Sequence, residues 1–306
     1  MSKVSYRFDR AKAETQANKA IGVIEKAGLI KSVGTNRNYR ECLQHTAQWI
    51  KDNRLGDLRH MDREIASRFL DEMKGTYSQK TLDMHRQAIQ AHFHANGVLD
   101  VKETLPVTKS DVQTVLEHRA YTPEQVSLVA QAQTERNALS TELAYAAGLR
   151  AHELLTIRPL AEQPADIRRY EDGSIKSLDT KWQGREEGVP YSVVGKGGLV
   201  REVRLPQELA DKLESHRLEE PIQIRDRGVN YEQHYDIAGG QRWSNSFSAA
   251  SARALGWSTG AHGLRHSYAQ ERLHELERIC PYEKALETVS QEMGHFRPEI
   301  TTTYLR

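Results

Sequence analysis

Cysteine is almost missing from this sequence: Cys42 and Cys280 stand far apart, and neither belongs to a Cys-x-x-Cys pattern. A disulfide framework or a zinc knuckle is therefore not expected. Long apolar runs are missing as well. None approaches the roughly 20 residues that a bilayer-spanning helix needs, and the opening MSKVSYRFDR has no apolar stretch of the secretory kind. The expected compartment is the cytoplasm, with no membrane partner. No carboxylate pair spaced for two metals and no phosphate-cradling glycine loop can be found, so neither metal nor cofactor is expected. An excess of charge is also lacking, because 43 Lys and Arg face 42 Asp and Glu, a net of +1. By itself that balance does not point to nucleic acid.

The charge is unevenly spread, however. Residues 1–100 hold 17 Lys and Arg against 12 Asp and Glu, and the remaining 206 residues hold 26 against 30. The first hundred residues also carry helical periodicity throughout. Ala13, Ala17, Ala20, Ile21 and Ile24 share a stripe in a helix over 9–28, which Gly28 ends. Tyr39, Cys42, Leu43, Ala47 and Ile50 share one over 36–53. Asp62 suits the cap of a helix to Met73, and a fourth runs from Ser78 to Asn96 before Gly97. Four such helices make a compact bundle. Lys31, Arg37, Arg40, Lys74, Lys80 and Arg86 fall near helix starts and turns, where they are candidates to meet DNA phosphates.

Residues 98–120 lose the periodicity and contain Pro106. The expected division is a helical domain over 1–110, a linker over 111–120 and a second domain over 121–306. Thr122 and Pro123 make a strong helix start, and a buried alanine-rich helix is expected over 137–147. Val189–Leu205 alternates on both sides of a glycine-flanked turn, the pattern of a β-hairpin with Lys196 at its tip. Residues 178–183 are candidates for a third strand, and Pro206 opens a helix to about His216. Residues 219–245 read as loop. Helices follow at about 246–255, 263–278 and 282–293, with a short one from Pro298. The fold class is therefore mainly α with a small antiparallel sheet.

Four segments carry residues suited to phosphate chemistry: GLRAHELL at 148–155, VGKGGLVR at 194–201, AHGLRHSYA at 261–269 and MGHFRPEITTTYLR at 293–306. Arg150 and Arg265 offer planar, permanently charged donor pairs that match two phosphate oxygens. Glu153, three residues after Arg150, is placed to orient it. His262 and Arg265 share a helix face. A lysine on a flexible turn suits protonation of a leaving oxygen, although Gly-Lys-Gly-Gly is also ordinary turn chemistry. Pro298 separates His295 from Tyr304 and starts the helix that carries the tyrosine. A phenol is largely un-ionised at neutral pH, so attack by Tyr304 needs cationic neighbours. Taken singly, each of these residues has a bland reading as surface or core. A metal site at His262 and His266 lacks both the glutamate of His-Glu-x-x-His and a third ligand.

The order Arg150, Lys196, His262, Arg265, His295, Tyr304, with nine residues from His295 to Tyr304, resembles the tyrosine recombinases, the family of phage integrases. The likeness covers 121–306 through its motifs and 1–110 only as a helical domain of suitable size. It implies a helical core-binding (SAM-like) domain and an α+β catalytic domain on duplex DNA carrying specific recombination sites. It implies that Tyr304 attacks the scissile phosphate to give a 3′-phosphotyrosyl link, and that four protomers exchange strands through a Holliday junction. Accessory directionality or bending factors are candidate further partners, and the expected location becomes the nucleoid. Two departures stand out. The interval from Arg150 to Lys196 suggests an insertion near 160–180, and the sequence stops two residues after Tyr304, where family members usually continue with a helix that docks on a neighbouring protomer. The alternatives are a type IB topoisomerase-like DNA-relaxing enzyme and a DNA-binding regulator with a decayed site.

Overall fold

The computed structural model describes residues 11–113, 117–169, 173–174 and 178–305. The chain divides into two compact units, Met1–Val115 and Leu116–Arg306. No helix among the described residues is long and apolar enough to cross a membrane.

The first unit holds four helices: α1 (Ala13–Lys26), α2 (Val33–Asp52), α3 (Arg63–Met73) and α4 (Gln79–Asn96). Their starts are chemically marked. Ser32, Asp62 and Ser78 each accept a hydrogen bond from a backbone N–H three residues on, which satisfies a donor that the helix itself leaves free. Gly97 ends α4 in the left-handed conformation, φ 70°. The stripes expected from sequence meet in one core, with Ile24, Leu43, Ile50, Phe69, Leu82 and Phe93 at its centre. Helix α2 starts three residues before the expected position because Ser32 caps it. Residues 9 and 10 of the expected first helix lie outside the described residues. Lys31, Arg37, Arg40, Lys74 and Lys80 are exposed, whereas Arg86 is half-buried and donates to the Leu105 carbonyl.

The second unit begins with α5 (Pro123–Gln131), started by a reciprocal Thr122–Gln125 capping box, and continues with α6 (Glu135–Ala146). A three-stranded antiparallel sheet follows, in the order β1 (Arg158–Pro159), β2 (Val189–Val194), β3 (Val200–Leu205). The hairpin is in the expected place, with Val194 opposite Val200 and Lys196–Gly198 forming its turn. The third strand is not 178–183. Arg158 and Pro159 pair with Ser192 and Tyr191 instead, and two residues are too few to show any periodicity in sequence. Residues 179–184 form turns, with Trp182 buried at φ 66° and its backbone N–H donating to the Glu292 carboxylate.

A second correction concerns 219–245. After α7 (Gln207–Glu214), this stretch forms a hairpin of β4 (Arg217–Asp226) and β5 (Val229–Tyr235), then the start of α8 (Gly240–Leu255). Arg227 and Gly228 are both left-handed, φ 48° and 84°, the geometry of a two-residue hairpin loop. Most of β4 is exposed, so no hydrophobic alternation betrays it in the sequence. The unit closes with α9 (Gly263–Leu276), α10 (Tyr282–Glu292) and α11 (Pro298–Thr301), the last running into a 3₁₀ turn at Thr302–Tyr304.

Two close approaches fix α9 against its neighbours. A Cβ on Gly263 would lie 2.5 Å from the Arg119 carbonyl oxygen, and one on Gly148 would lie 2.7 Å from the Tyr268 ring. Residues in the expected insertion fold back on the sheet. Asp166 donates its N–H to the Val200 carbonyl and accepts the Val200 N–H on its carboxylate. The Arg168 guanidinium stacks 4.6 Å from the Phe296 ring centroid.

Candidate active site

Gly148 ends the turn after α6 in the left-handed region, φ 57°, and releases the chain so that Arg150 follows immediately. The next residues curl into a 3₁₀ turn at Glu153–Leu155, which carries the Glu153 side chain back to Arg150. Glu153 accepts the Arg150 N–H at 2.8 Å and its guanidinium at 2.7 Å. Two further guanidinium groups reach the same carboxylate, Arg201 at 2.7 Å from β3 and Arg265 at 3.8 Å from α9. Glu153 is fully buried. Burial alone would raise its pKa, but Arg201, Arg265 and Arg150 override it and hold the carboxyl far below the ordinary carboxylate range. Three cations around one anion leave a surplus of positive charge.

Arg265 is wholly buried. It donates to the Gly148 carbonyl, to the Met293 carbonyl at 3.2 Å and to His295 Nε2 at 3.0 Å. Its Nε finds no hydrogen-bond partner among the described residues. An arginine cannot accept a hydrogen bond, so His295 Nε2 must be the acceptor. The remaining ring proton then sits on Nδ1, 3.0 Å from Thr301 Oγ1. Burial, then Arg265 and Arg150, pushes His295 down to about 3. Burial followed by Arg265 pushes His262 down to about 4. Both imidazoles are neutral at pH 7.

Tyr304 is buried among these groups. Its hydroxyl lies 3.1 Å from His262 Nε2, and its ring stacks on His295 with centroids 5.0 Å apart. The Arg265 guanidinium stands 5.6 Å from the ring centroid, and Gln270 holds the Tyr304 carbonyl at 3.0 Å. Five of the six candidates therefore form one connected cluster: Arg150 and Arg265 lie on Glu153, and Arg265 links them to His295 and Tyr304, which His262 contacts in turn. The sixth, Lys196, is exposed on the hairpin turn. The neighbouring Gly195 forms the root of that turn, where a Cβ would lie 3.4 Å from Glu153 Oε1 and 3.9 Å from Arg150 Nη1. Lys196 thus stands at the rim of the cluster, without a contact inside it.

Sequence reasoning missed two participants. His266, weighed in the sequence as a metal ligand with His262, lies with its ring centroid 4.9 Å from that of Tyr304. Arg201 was passed over, although a signal existed. Arg201, Val203 and Leu205 are alternate residues of one strand, so an arginine takes an inward-facing position and needs a carboxylate there. Behind the cluster, Glu292 accepts two hydrogen bonds from Arg272 and one from Tyr268. Among the described residues, no group of three or more His, Cys, Asp or Glu is arranged to hold a metal ion.

No protein-family model and no curated protein matches the sequence. Solved structures do share its fold. A XerH site-specific recombinase bound to a palindromic difH substrate, in a post-cleavage complex, aligns with TM-score 0.58 at 17% identity, over 95% of this chain and 81% of that one. A lambda integrase tetramer bound to a Holliday junction gives 0.58 at 15%, over 99% and 80%. A lambda integrase dimer bound to a COC′ core site gives 0.59 at 16%, over 100% and 81%. The fold is that of the tyrosine recombinases, as the motif order implied.

Proposed function

We propose that this chain is a site-specific DNA recombinase or integrase of a mobile element, which cleaves and rejoins duplex DNA through a 3′-phosphotyrosyl link at Tyr304. The observation that carries this reading is a buried tyrosine hydroxyl, bonded to a neutral histidine, beside guanidinium groups that outnumber their carboxylate. Such a cluster calls for an anion, and the phosphodiester supplies one. In this reading Arg150 and Arg265 bind the non-bridging oxygens, where charge grows as the phosphorus becomes five-coordinate. The unpartnered Nε of Arg265 is one donor still free for that task. His295 acts on the same oxygens through Arg265, whose guanidinium its Nε2 accepts and holds in place.

Tyr304 Oη forms the new bond to phosphorus, and His262 Nε2 is the nearest acceptor for the phenolic proton. The bond to the 5′ oxygen breaks, and Lys196, carried down with the hairpin turn, gives that oxygen its proton. Attack by a second strand's 5′ hydroxyl on the phosphotyrosyl bond reverses the same bonds. No external energy source is consumed, because the phosphodiester energy is kept in the tyrosyl link. Exposed Lys31, Arg37, Arg40, Lys74 and Lys80, with Arg86, meet backbone phosphates, and a homotetramer assembles on paired sites.

The test is covalent trapping on a pool of nicked duplexes with randomised sequence, in which cleavage near the nick releases a short fragment and stalls the reaction. Mass spectrometry should find the DNA attached to Tyr304 through a 3′ phosphate, and the trapped pool should converge on one sequence. Attachment at another residue, or none at all, refutes the reading.

A further inference from the structure

Arg201 differs from the other two arginines around Glu153, because all three of its nitrogens are already committed to protein oxygens. Nη2 donates to Glu153 Oε2 at 2.7 Å and to the Gly148 carbonyl at 3.4 Å, Nη1 to the Glu292 carbonyl at 2.7 Å, and Nε to Glu153 Oε1 at 3.5 Å. Its side chain is 4% exposed. Arg265 keeps an unpartnered Nε and Arg150 is 20% exposed, so both retain capacity for a ligand that Arg201 lacks.

The oxygens that Arg201 holds belong to the segments bearing the other groups. The Gly148 carbonyl precedes Arg150 by two residues, and Arg265 bonds that same carbonyl from the opposite element. The Glu292 carbonyl opens the turn through Gly294 to His295. Gly294 itself sits on the arginine stem, since a Cβ there would lie 2.8 Å from Arg201 Cδ. One planar guanidinium thereby sets the spacing of the Arg150 turn, the Glu153 carboxylate and the His295 turn. A lysine has no fork of donors with which to do the same.

We propose that Arg201 is a positioning residue, which aligns Arg150, Arg265 and His295 through Glu153 and the Gly148 and Glu292 carbonyls and never touches the scissile phosphate. Its effect on cleavage rests on the recombinase reading, whereas its effect on backbone order does not. Because Arg201 lies on the strand that follows the Lys196 turn, the rival account is that it acts by holding the hairpin and hence Lys196.

Arg201→Lys and Arg201→Ala are compared with the wild-type protein on nicked duplexes, some with an ordinary 5′ bridging oxygen and some with sulfur there. Misplaced clamp groups should slow single-turnover cleavage by about 100-fold with duplex affinity unchanged. Sulfur should not restore the rate, because a thiolate leaving group replaces only the acid. In a Glu153→Gln background, Arg201→Ala should cost no more than about a further twofold, as expected of two residues acting as one unit. In hydrogen exchange on the free protein, the amides of Gly148–Arg150 and Gly294–His295 should exchange faster in Arg201→Lys while the β2–β3 amides stay protected.

Rescue by sulfur would assign the effect to Lys196 and overturn the proposal. Full additivity with Glu153→Gln, or cleavage at the wild-type rate, would overturn it equally. If Arg201→Ala does not fold, Arg201→Lys, which keeps the charge and the stem, carries the comparison. A wild-type protein that never links to DNA would sink the recombinase reading, and the exchange experiment would still decide whether Arg201 orders the two turns.

Discussion

The Arg265 guanidinium donates to His295 Nε2 at 3.0 Å, which leaves the single ring proton of His295 facing Thr301 Oγ1. The pair works only while the imidazole is neutral, since a protonated ring would turn a second donor on the arginine. That relationship governs how the site answers to acid.

Folding lowers His295 from its ordinary 6.5 to about 3 and His262 to about 4, and in the first unit burial followed by His45 lowers His85 to about 4. A histidine whose folded pKa is depressed contributes its full stability above the unfolded value. That contribution is lost as pH falls from about 6.5 towards the folded value, because the unfolded chain takes up the proton first. The melting temperature should therefore drop steeply between about pH 6.5 and pH 4. Each pKa unit corresponds to about 1.4 kcal/mol, and solvent access and coupling reduce what is realised. His295→Gln should flatten this acid limb in thermal melts at a series of pH values. An unchanged slope would show that His295 is not held neutral.

Tyr304→Phe should abolish covalent attachment to DNA and leave duplex binding nearly intact, because phosphate contacts and not the phenol supply affinity. Parallel gel-shift and denaturing-gel assays separate the two effects. A Phe variant that still forms a denaturant-stable adduct would mean that another nucleophile does the work.

Lys196→Ala should cripple cleavage of an ordinary phosphodiester and do far less harm when the 5′ bridging oxygen is sulfur. A thiolate departs without being protonated, so the acid is no longer required. Arg150→Ala and Arg265→Ala should not be rescued, because their contacts are to oxygens that the substitution leaves alone. Should sulfur fail to rescue Lys196→Ala, the lysine is a turn residue or a groove contact.

Glu153→Ala removes the one carboxylate shared by Arg150, Arg201 and Arg265 and leaves buried guanidinium groups facing each other. Breaking a buried charge pair in this way typically costs about 3–5 kcal/mol, large enough to read as a clear drop in melting temperature. Arg150→Ala, at the partly exposed edge of the same cluster, should cost much less stability while still stopping cleavage. Equal destabilisation by the two changes would contradict the geometry.

The parts of this protein that were legible in sequence share a cause. Arg150 and Glu153, or His262 and Arg265, lie three residues apart within one turn, so local geometry brings them together before any tertiary contact forms. The helices of the first unit carry their own caps, Ser32, Asp62 and Ser78, and their own apolar stripes. What escaped reading depends on distant partners. The β4–β5 hairpin is solvated on most of its surface and shows no alternation, and β1 is a two-residue strand defined only by β2 beside it. Arg201 is charged, so it reads as surface until Glu153, 48 residues earlier, is seen against it.

Tyr304 is fastened before any ligand arrives: Gln270 grips its carbonyl, and the His262, His266 and His295 rings pack around its phenol. The entropy of ordering this last segment is lost during folding, so none of it is left to be lost when a substrate binds. On the recombinase reading the nucleophile waits in place, while Lys196 still stands exposed on its turn. Timing then cannot come from presenting the tyrosine. It must come from which DNA reaches the site and draws the Lys196 turn down to it, so that restraint becomes a property of the encounter.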